Sequence, residues 1–412
     1  MSDPKIRPVI FLILLLFFPE RLLLGEDIVV GMSAAFSGPS KGLGIELYRG
    51  STAYLEHVNR TGGVYGQRIA IKAYDDGYNP TPAIQNTIKL IEQDNAFLLF
   101  NYVGTPTVTR ILPLLKSYRK RFVYLFTPFT GAQSLRQPPY GEYVFNLRAS
   151  YSDETEGLVD HLVATGRSRI AVFYQADAYG RSGWDGVKKA LAKNFGFKMV
   201  GEATYRRGAE YSQNFTEQVE VIKKASADAV ICIGAYAVSA AFIRDARKAG
   251  LNIPIANLSF VGSENMTDLL LRSSQTAGKD YTKDLINSQV VPSYQDTVLP
   301  AVQEYRQLME KYQPLPPRDL TEGSYSPLPY SYVSFEGFLN AKLLVEVLKR
   351  MGPGPTKSRI KESIERINSA DLGIDTPITF GPYKHQGLDK VYYTTMKDNQ
   401  FVPLADWRGW EK

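Results

Sequence analysis

Residues 27–60, DIVVGMSAAFSGPSKGLGIELYRGSTAYLEHVNR, contain the smallest unit from which the fold can be inferred. The run DIVVG at 27–31 has the length and composition of a buried β-strand. Residues 42–60 carry apolar side chains at helical spacing, with one face formed by Leu43, Leu47, Tyr54 and Val58. Gly62 and Gly63 end the helix. The stretch therefore predicts a strand, a glycine-rich turn and a helix that covers the strand.

The same unit recurs along the chain. In the first half, we predict strands at 68–74, 96–100 and 122–126, and helices at 82–93 and 108–119. In the second half, we predict strands at 169–174, 198–204, 229–234 and 253–256, and helices at 183–195, 215–225 and 238–249. Strands that alternate with helices form a parallel sheet covered on both faces. The repetition predicts an α/β protein with two similar lobes side by side.

The C-terminal part of the chain departs from this alternation. We predict three helices, at 295–313, 334–351 and 357–368, and a proline-rich loop at 314–329. The segments 378–380 and 391–396 are predicted to close the fold as a pair of strands.

The composition is that of a folded protein of two or three domains. Its 412 residues are 44% hydrophobic and 22% charged, so extensive disorder is not expected. The net charge is +6, but the basic residues are spread over several predicted helices without a recognition motif, so we expect no nucleic-acid partner. The single cysteine, Cys232, lies in an apolar run and is expected to be a buried hydrophobic residue.

Residues 1–25 differ from the rest of the chain. Lys5 and Arg7 precede a continuous apolar run at 9–18, a pattern typical of a secretory signal peptide. The run is shorter than the ~20 residues that a membrane-spanning helix needs. Gly25 suits the residue before a cleavage site, but Leu23 is a poor residue two positions earlier. We expect a periplasmic or otherwise extracytoplasmic protein, with an uncleaved N-terminal anchor as the alternative.

Candidate ligand contacts lie beyond the carboxyl ends of the predicted strands, where open parallel sheets bind ligands. The segments 101–107 and 127–131 are rich in Thr and Gly, and backbone N–H groups at a helix start suit an anion. Ordinary helix caps use the same residue types, so both interpretations stay open. Aromatic residues at the same strand ends predict a flat ligand wall formed by Tyr102, Phe129, Tyr151, Tyr179 and Tyr236.

Cofactor and metal motifs are absent from the sequence. It contains no G-x-G-x-x-G or P-loop, and no spacing typical of a metal site. His57, His161 and His385 are far apart, and we interpret two of the three as surface residues rather than metal ligands. Asp177 and Glu336 are the only candidates for an acid or base in the cleft. We predict a binding protein with no catalytic residues, no metal and no cofactor.

Seven short motifs occur in a fixed order after residue 26. They are GMSAAFSGP at 31–39, GGVYGQRI at 62–69, DDGYNP at 75–80, GTPT at 104–107, TPFTGA at 127–132, DAYG at 177–180 and FEGF at 335–338. Each motif is weak alone, but their order and spacing resemble periplasmic solute-binding proteins of the branched-chain amino acid ABC transporter family.

The resemblance implies a type I periplasmic binding protein with two Rossmann-like lobes. Lobe one would comprise 27–147 and 293–376, and lobe two 150–288 and 382–412. Three crossings, near 147–150, 288–293 and 376–382, would form the hinge. The resemblance also implies that a ligand between the lobes closes the hinge, and that the closed form docks on an inner-membrane ABC permease.

The resemblance also suggests individual ligand contacts. The segments 101–107 and 127–131 would hold a carboxylate, and Tyr179 and Tyr236 match contacts from the second lobe. Ser259 stands where amino-acid binders carry an acidic residue for the ligand ammonium, and a buried ammonium without a counter-charge is costly. We therefore expect a carboxylate or an amide at least as readily as leucine. The candidate set is Tyr102, Gly104, Thr105, Thr127, Phe129, Thr130, Gly131, Tyr151, Asp177, Tyr179, Tyr236 and Ser259.

Two other functions stay open at this point. The same module could report its ligand to a signalling partner rather than to a permease. An α/β enzyme that uses the cleft would need an acid, a base or a nucleophile there, and Asp177 and Glu336 are its only candidates.

Overall fold

The computed structural model describes residues 26–411, with side chains at all of these positions except 194 and 195. The predicted signal peptide at 1–25 lies outside the described residues. Among the helices within 26–411, none combines the length and the apolarity that crossing a bilayer requires.

The first sheet is parallel throughout and has the order β2-β1-β3-β4-β5. Its strands are β1 (Ile28–Ala34), β2 (Ile69–Asp75), β3 (Leu99–Phe100), β4 (Leu125–Phe126) and β5 (Val144–Phe145). The helices that connect them are α1 (Lys41–Arg60), α2 (Pro80–Glu92) and α3 (Thr105–Ser117).

The second sheet repeats this order and adds a hairpin. Its sequence of strands is β7-β6-β8-β9-β10, continued by β11 and β12. The strands are β6 (Ile170–Gln175), β7 (Gly201–Tyr205), β8 (Ala229–Ile233), β9 (Ile255–Asn257), β10 (Leu285–Gln289), β11 (Tyr392–Lys397) and β12 (Gln400–Pro403). The helices are α4 (Tyr151–Ala164), α5 (Ala178–Phe195), α6 (Thr216–Lys224), α7 (Tyr236–Lys248) and α8 (Ser263–Ala277). The predicted α/β class with two duplicated, mainly parallel sheets is confirmed.

Three further helices return to the first sheet: α9 (Pro300–Tyr312), α10 (Tyr332–Met351) and α11 (Ile360–Glu365). We call the first sheet with α1–α3 and α9–α11 the first lobe, and the second sheet with α4–α8 the second lobe. The chain passes between the lobes after β5, after β10 and before β11. The residue boundaries suggested for the lobes and the hinge remain a prediction.

Two of these passages run side by side. Asn146 and Gln386 form a parallel bridge, and the backbone N–H of Asn146 donates to His385 O at 2.8 Å. In return, the N–H of Gly387 donates to Asn146 O and that of Leu388 to Leu147 O, both at 2.8 Å. The passages after β5 and before β11 therefore form a short two-stranded ribbon.

The predicted closing pair of strands, 378–380 with 391–396, is wrong. Tyr392–Lys397 pairs antiparallel with Leu285–Gln289 and with Gln400–Pro403 instead. A two-residue turn joins the last two strands, since Asp398 and Asn399 have φ angles of 50° and 62°. Ile378 forms only an isolated bridge, to Ala370.

The structure also contains elements that were not predicted, and two predicted helices have other bounds. Five elements were not predicted: helices α4 and α8 and strands β5, β10 and β12. The predicted helix 295–313 begins at Pro300, and the predicted helix 357–368 consists of a 3-10 turn followed by the short α11.

The single cysteine is buried, and two histidine rings pack against aromatic side chains. Cys232 lies in β8 with no exposed surface, as predicted. The His385 side chain is 7% exposed, its ring packs on Phe145 at 4.1 Å, and its Nε2 lies 3.0 Å from Glu365. His161 is partly exposed and stacks on Trp407 at 4.3 Å. Both rings therefore take part in packing.

Close packing of α1 on α10 holds the C-terminal helices to the first lobe. A Cβ atom added to Gly50 would lie 1.7 Å from Ser334 O, and one added to Gly337 would lie 2.2 Å from Leu47 O. The two helices approach each other this closely because both positions lack a side chain.

We expect Gly50→Ala and Gly337→Ala each to lower the free energy of unfolding by about 1–3 kcal/mol, because backbone atoms must move to accept the methyl group. Denaturant unfolding measures the change. Gly409→Ala is the control, since an added Cβ there meets nothing within 4 Å. Unchanged stability in both α1 and α10 variants would contradict the close contact.

Candidate functional site

The carboxyl ends of the two sheets face each other, and aromatic rings from both lobes meet between them. Phe260, which follows β9, lies 5.4 Å from the Phe129 ring, 4.7 Å from Tyr179 and 5.9 Å from Tyr78. Tyr151 and Tyr179 are 5.2 Å apart. All five rings are buried. Phe260 is therefore the centre of an aromatic cluster that joins the lobes.

Direct hydrogen bonds also cross between the lobes. Gln175 Nε2 donates to the Tyr78 hydroxyl at 3.2 Å, and the backbone N–H of Gly42 donates to the Tyr236 hydroxyl at 3.2 Å. These contacts, together with the packed rings, show that the structure is a closed form of the two lobes.

The first-lobe wall of the cleft is built from two short loops. The Thr105 and Thr130 hydroxyls are 2.6 Å apart and hydrogen-bonded to each other. Gly104 has a φ of 99°, and a Cβ there would meet the Tyr78 ring at 2.1 Å. A Cβ on Gly131 would lie 2.6 Å from the Tyr151 ring. The two glycines therefore allow tyrosines to approach this wall closely.

A buried ionic cluster lies at the base of the cleft. Arg148, in the passage after β5, is 1% exposed and donates from Nη2 to Ser259 Oγ at 2.5 Å. Its Nε lies 3.3 Å from Glu336 Oε1 of α10. Glu154 of α4 accepts from the Ser259 N–H at 2.7 Å and from the Ser259 and Ser288 hydroxyls at 2.9 and 2.6 Å. The cluster thus connects the first lobe, the passage and the second lobe.

Burial sets the protonation behaviour of the two carboxylates. It raises the pKa of Glu336 to about 7, against the opposing effect of Arg148. Burial also raises the pKa of Glu154, while Arg148 and the serine donors act in the opposite direction. The ionic cluster can therefore change its charge near neutral pH.

Several polar atoms around this cluster have no hydrogen-bond partner within the described residues. They are Arg148 Nη1, the hydroxyls of Tyr151 and Tyr179, and Arg148 Nε, whose 3.3 Å ion-pair contact with Glu336 is not an aligned hydrogen bond. The Tyr151 hydroxyl lies beside those of Thr105 and Thr130 without a well-aligned bond to either. Buried polar groups are normally paired, and an unpaired one costs about 1–3 kcal/mol. Their concentration at one place is the strongest mark of a binding site in the molecule.

The structure brings together eight of the sequence-predicted residues in this region. They are Gly104, Thr105, Phe129, Thr130, Gly131, Tyr151, Tyr179 and Ser259. The ligand role of each stays a prediction.

The remaining four predicted residues lie outside this cluster. Tyr102 points into the first lobe, where its hydroxyl lies 3.1 Å from Thr87 Oγ1, and the Thr127 hydroxyl donates to Asn101.

The other two, Asp177 and Tyr236, make separate contacts outside the cluster. Asp177 caps α5 by accepting from the Tyr179 N–H and also contacts Arg207 at 3.3 Å. Tyr236 lies where the lobes touch. Asp177 is thus the N-cap of α5.

Four residues of the site were missed by the sequence interpretation: Tyr78, Arg148, Glu154 and Phe260. Arg148 lies three residues after the end of β5, a short strand that was not predicted. Glu154 lies on α4, which was not predicted. Ser259 donates to the Glu154 carboxylate from its N–H and its hydroxyl, so an acidic group lies beside this position, and the ligand preference inferred from Ser259 stays a prediction.

Comparisons with known proteins agree with this architecture. A family model described as periplasmic binding protein matches residues 27–400. An amino acid binding protein of Pseudomonas aeruginosa is 26% identical over 229 residues, which are 55% of this chain and 58% of that protein. The Leu/Ile/Val-binding protein of Escherichia coli K12 is 23% identical over 281 residues, 66% of this chain and 73% of that protein.

A solved structure extends the likeness to nearly the full length of both chains. It is a possible leucine/isoleucine/valine-binding protein from Rhodopirellula baltica, with a TM-score of 0.82 and 30% identity, covering 93% of this chain and 97% of that one. The family and these relatives are solute-binding proteins rather than enzymes, as the sequence predicted. With two duplicated α/β lobes closed over a buried cleft and a family match across residues 27–400, the chain belongs to the periplasmic binding protein family.

Proposed function

We propose that the protein is the extracytoplasmic substrate-binding component of an ABC uptake transporter. It captures a small carboxylate, amide or amino-acid-like solute between its lobes and delivers it to an inner-membrane permease. The observation that carries the proposal is the group of unpaired polar atoms on Arg148, Tyr151 and Tyr179, buried beneath rings from both lobes. Relatives named amino acid binding and Leu/Ile/Val-binding proteins support this class of solute.

Ligand-driven closure follows from the same atoms. Without a ligand, each unpaired group costs the closed form about 1–3 kcal/mol, and opening lets water reach it. A ligand that pairs with these groups stabilises the closed form over the open one and shifts the population toward it. The cross-lobe bonds of Tyr78 and Tyr236 then add to the stability of the closed form.

A thermal-shift screen of the purified protein tests the proposal. The panel holds amino acids, aliphatic and aromatic carboxylates, and their amides. A ligand present at 100 times its Kd should add about 2.7 kcal/mol to the free energy of unfolding. Stabilisation by none of these classes would contradict the proposed function, and uptake of the identified solute by cells with and without the gene tests the link to a permease.

We expect Thr130→Val to weaken binding of the solute found in that screen by about 1–3 kcal/mol, because it removes a hydroxyl that faces the unpaired Tyr151 and leaves the volume nearly unchanged. Isothermal titration calorimetry measures the loss. Thr109→Val is the matched control, since the Thr109 hydroxyl donates to Thr105 O inside α3. Equal affinities in both variants and the wild type would remove Thr130 from the site.

We expect Tyr236→Phe to reduce affinity by about 2- to 10-fold while leaving the ligand-free melting temperature unchanged, because the lost hydrogen bond exists only in the closed form. Tyr383→Phe, at a fully exposed ring, is the control. A drop in ligand-free stability without a drop in affinity would show that the Tyr236 bond is not specific to closure.

A further inference from the structure

The ionic cluster contains one cation and two carboxylates, and the two carboxylates differ in how many hydrogen bonds they accept. Glu154 accepts three hydrogen bonds from Ser259 and Ser288. Glu336 has the Arg148 guanidinium at 3.3 Å as its ion-pair partner. Arg148 donates one hydrogen bond, to Ser259, and its Nε and Nη1 have no well-aligned acceptor. The guanidinium therefore holds unused donors in the interior of the cleft.

These unpaired donors define the chemistry of a ligand that could bind to them. Guanidinium N–H groups only donate, and the unpaired Tyr151 and Tyr179 hydroxyls supply two more donors. A carboxylate offers several acceptor positions and matches the guanidinium fork. The Phe129 ring lies 4.4 Å from the Arg148 guanidinium carbon, and Phe260 continues this apolar wall. The complementary ligand is a carboxylate with an apolar body.

A bound carboxylate would be the third anion around a single guanidinium. Buried like charges disfavour ionisation, so one of the three must take a proton. The three donors to Glu154 stabilise its ionised form, whereas within residues 26–411 no comparable set of hydrogen-bond donors contacts Glu336. Burial raises the pKa of Glu336 to about 7, and Glu154 acts in the same direction while Arg148 opposes it. Glu336 is therefore the group that accepts the proton.

The other charged groups packed around Glu336 leave this balance unchanged. On α1, which lies along α10, Glu46 and Arg49 pair with each other at 2.6 Å. Arg136 donates to the backbone oxygens of Arg148 and Ala149. Asp153 of α4 accepts from Ser150 and Gln386.

We propose that the ligand is a carboxylate anchored by Arg148 and that Glu336 takes up one proton when the carboxylate binds. The inference rests on the proposed function, because it assigns a substrate class to the same cleft. A zwitterionic amino acid would bring its own ammonium to Glu336 and would need no proton. The two ligand classes therefore differ in their response to pH.

The sign of the pH effect follows from the competition for Arg148. Below neutral pH, Glu336 is protonated and Arg148 is free to bind the ligand, so affinity is highest. As the pH rises, Glu336 ionises and binding requires that a proton be taken up. Affinity should then fall by up to tenfold per pH unit, and by about tenfold from pH 6 to pH 8.

The experiment compares three probes with the same apolar body: 4-methylpentanoate, 4-methylpentanamide and leucine. A second pair, benzoate and benzamide, tests an aromatic body. Calorimetric titrations at pH 6, 7 and 8, in two buffers of different ionisation enthalpy, give both the affinity and the number of protons taken up. The variants are Glu336→Gln and Arg148→Lys. Glu336→Gln mimics the protonated side chain, and Arg148→Lys keeps the positive charge but lacks the paired N–H donors of the planar guanidinium. Glu346→Gln, at a partly exposed position of α10, is the control.

We expect a carboxylate to bind more tightly than its amide, with about one proton taken up at pH 8. Glu336→Gln should abolish the pH dependence and bind at least as tightly as the wild type at pH 8, and Arg148→Lys should bind at least tenfold more weakly. Preferred binding of leucine or of an amide without proton uptake would overturn this inference and leave the proposed function standing. Binding of none of these probes, together with no response in the wider screen, would overturn both.

Discussion

A charge removed from water has to be compensated by its neighbours, and the Arg148 guanidinium imposes this requirement on both lobes. It stands in the passage after β5, and its partners come from α10 in the first lobe and from the loop after β9 in the second. Ser259 links it to Glu154, which Ser288 also supports. Because elements distant in sequence must satisfy one buried cation, their relative placement is restricted at the base of the cleft.

Above this base, the apolar and polar parts of the cleft have different tasks. The rings around Phe260 exclude water, which strengthens every electrostatic interaction beneath them. The hydroxyls of Thr105, Thr130, Tyr151 and Tyr179 add direction without adding charge. A site of this kind selects a ligand by where its acceptors lie, and the aromatic wall adds contact area that tolerates variation in the ligand body.

The fold could be predicted from the sequence wherever apolar periodicity was undisturbed. Helix α4 was missed because the buried Glu154 and Thr155 occupy places on its inner face where apolar residues are expected, although the capping box of Ser150 and Asp153 marks its start. Strand β10 was missed because three of its five residues, Asn287, Ser288 and Gln289, are polar and hydrogen-bonded in the interior. The cleft loops were predicted from strand ends, but the pairing of Arg148 with Glu336, far apart in the chain, leaves no local pattern in a single sequence.

The ribbon formed by two of the three passages has a mechanical consequence. Backbone hydrogen bonds at Asn146, Gly387 and Leu388 couple these passages into one strip, which bends across its flat face more easily than it shears along its length. The third passage, after β10, is a separate tether. The two-stranded ribbon and the passage after β10 together favour rotation about a single axis. They resist twisting of one lobe relative to the other. We therefore expect the lobes to open by a hinge rotation about one axis. The same residues should then meet each time the lobes close.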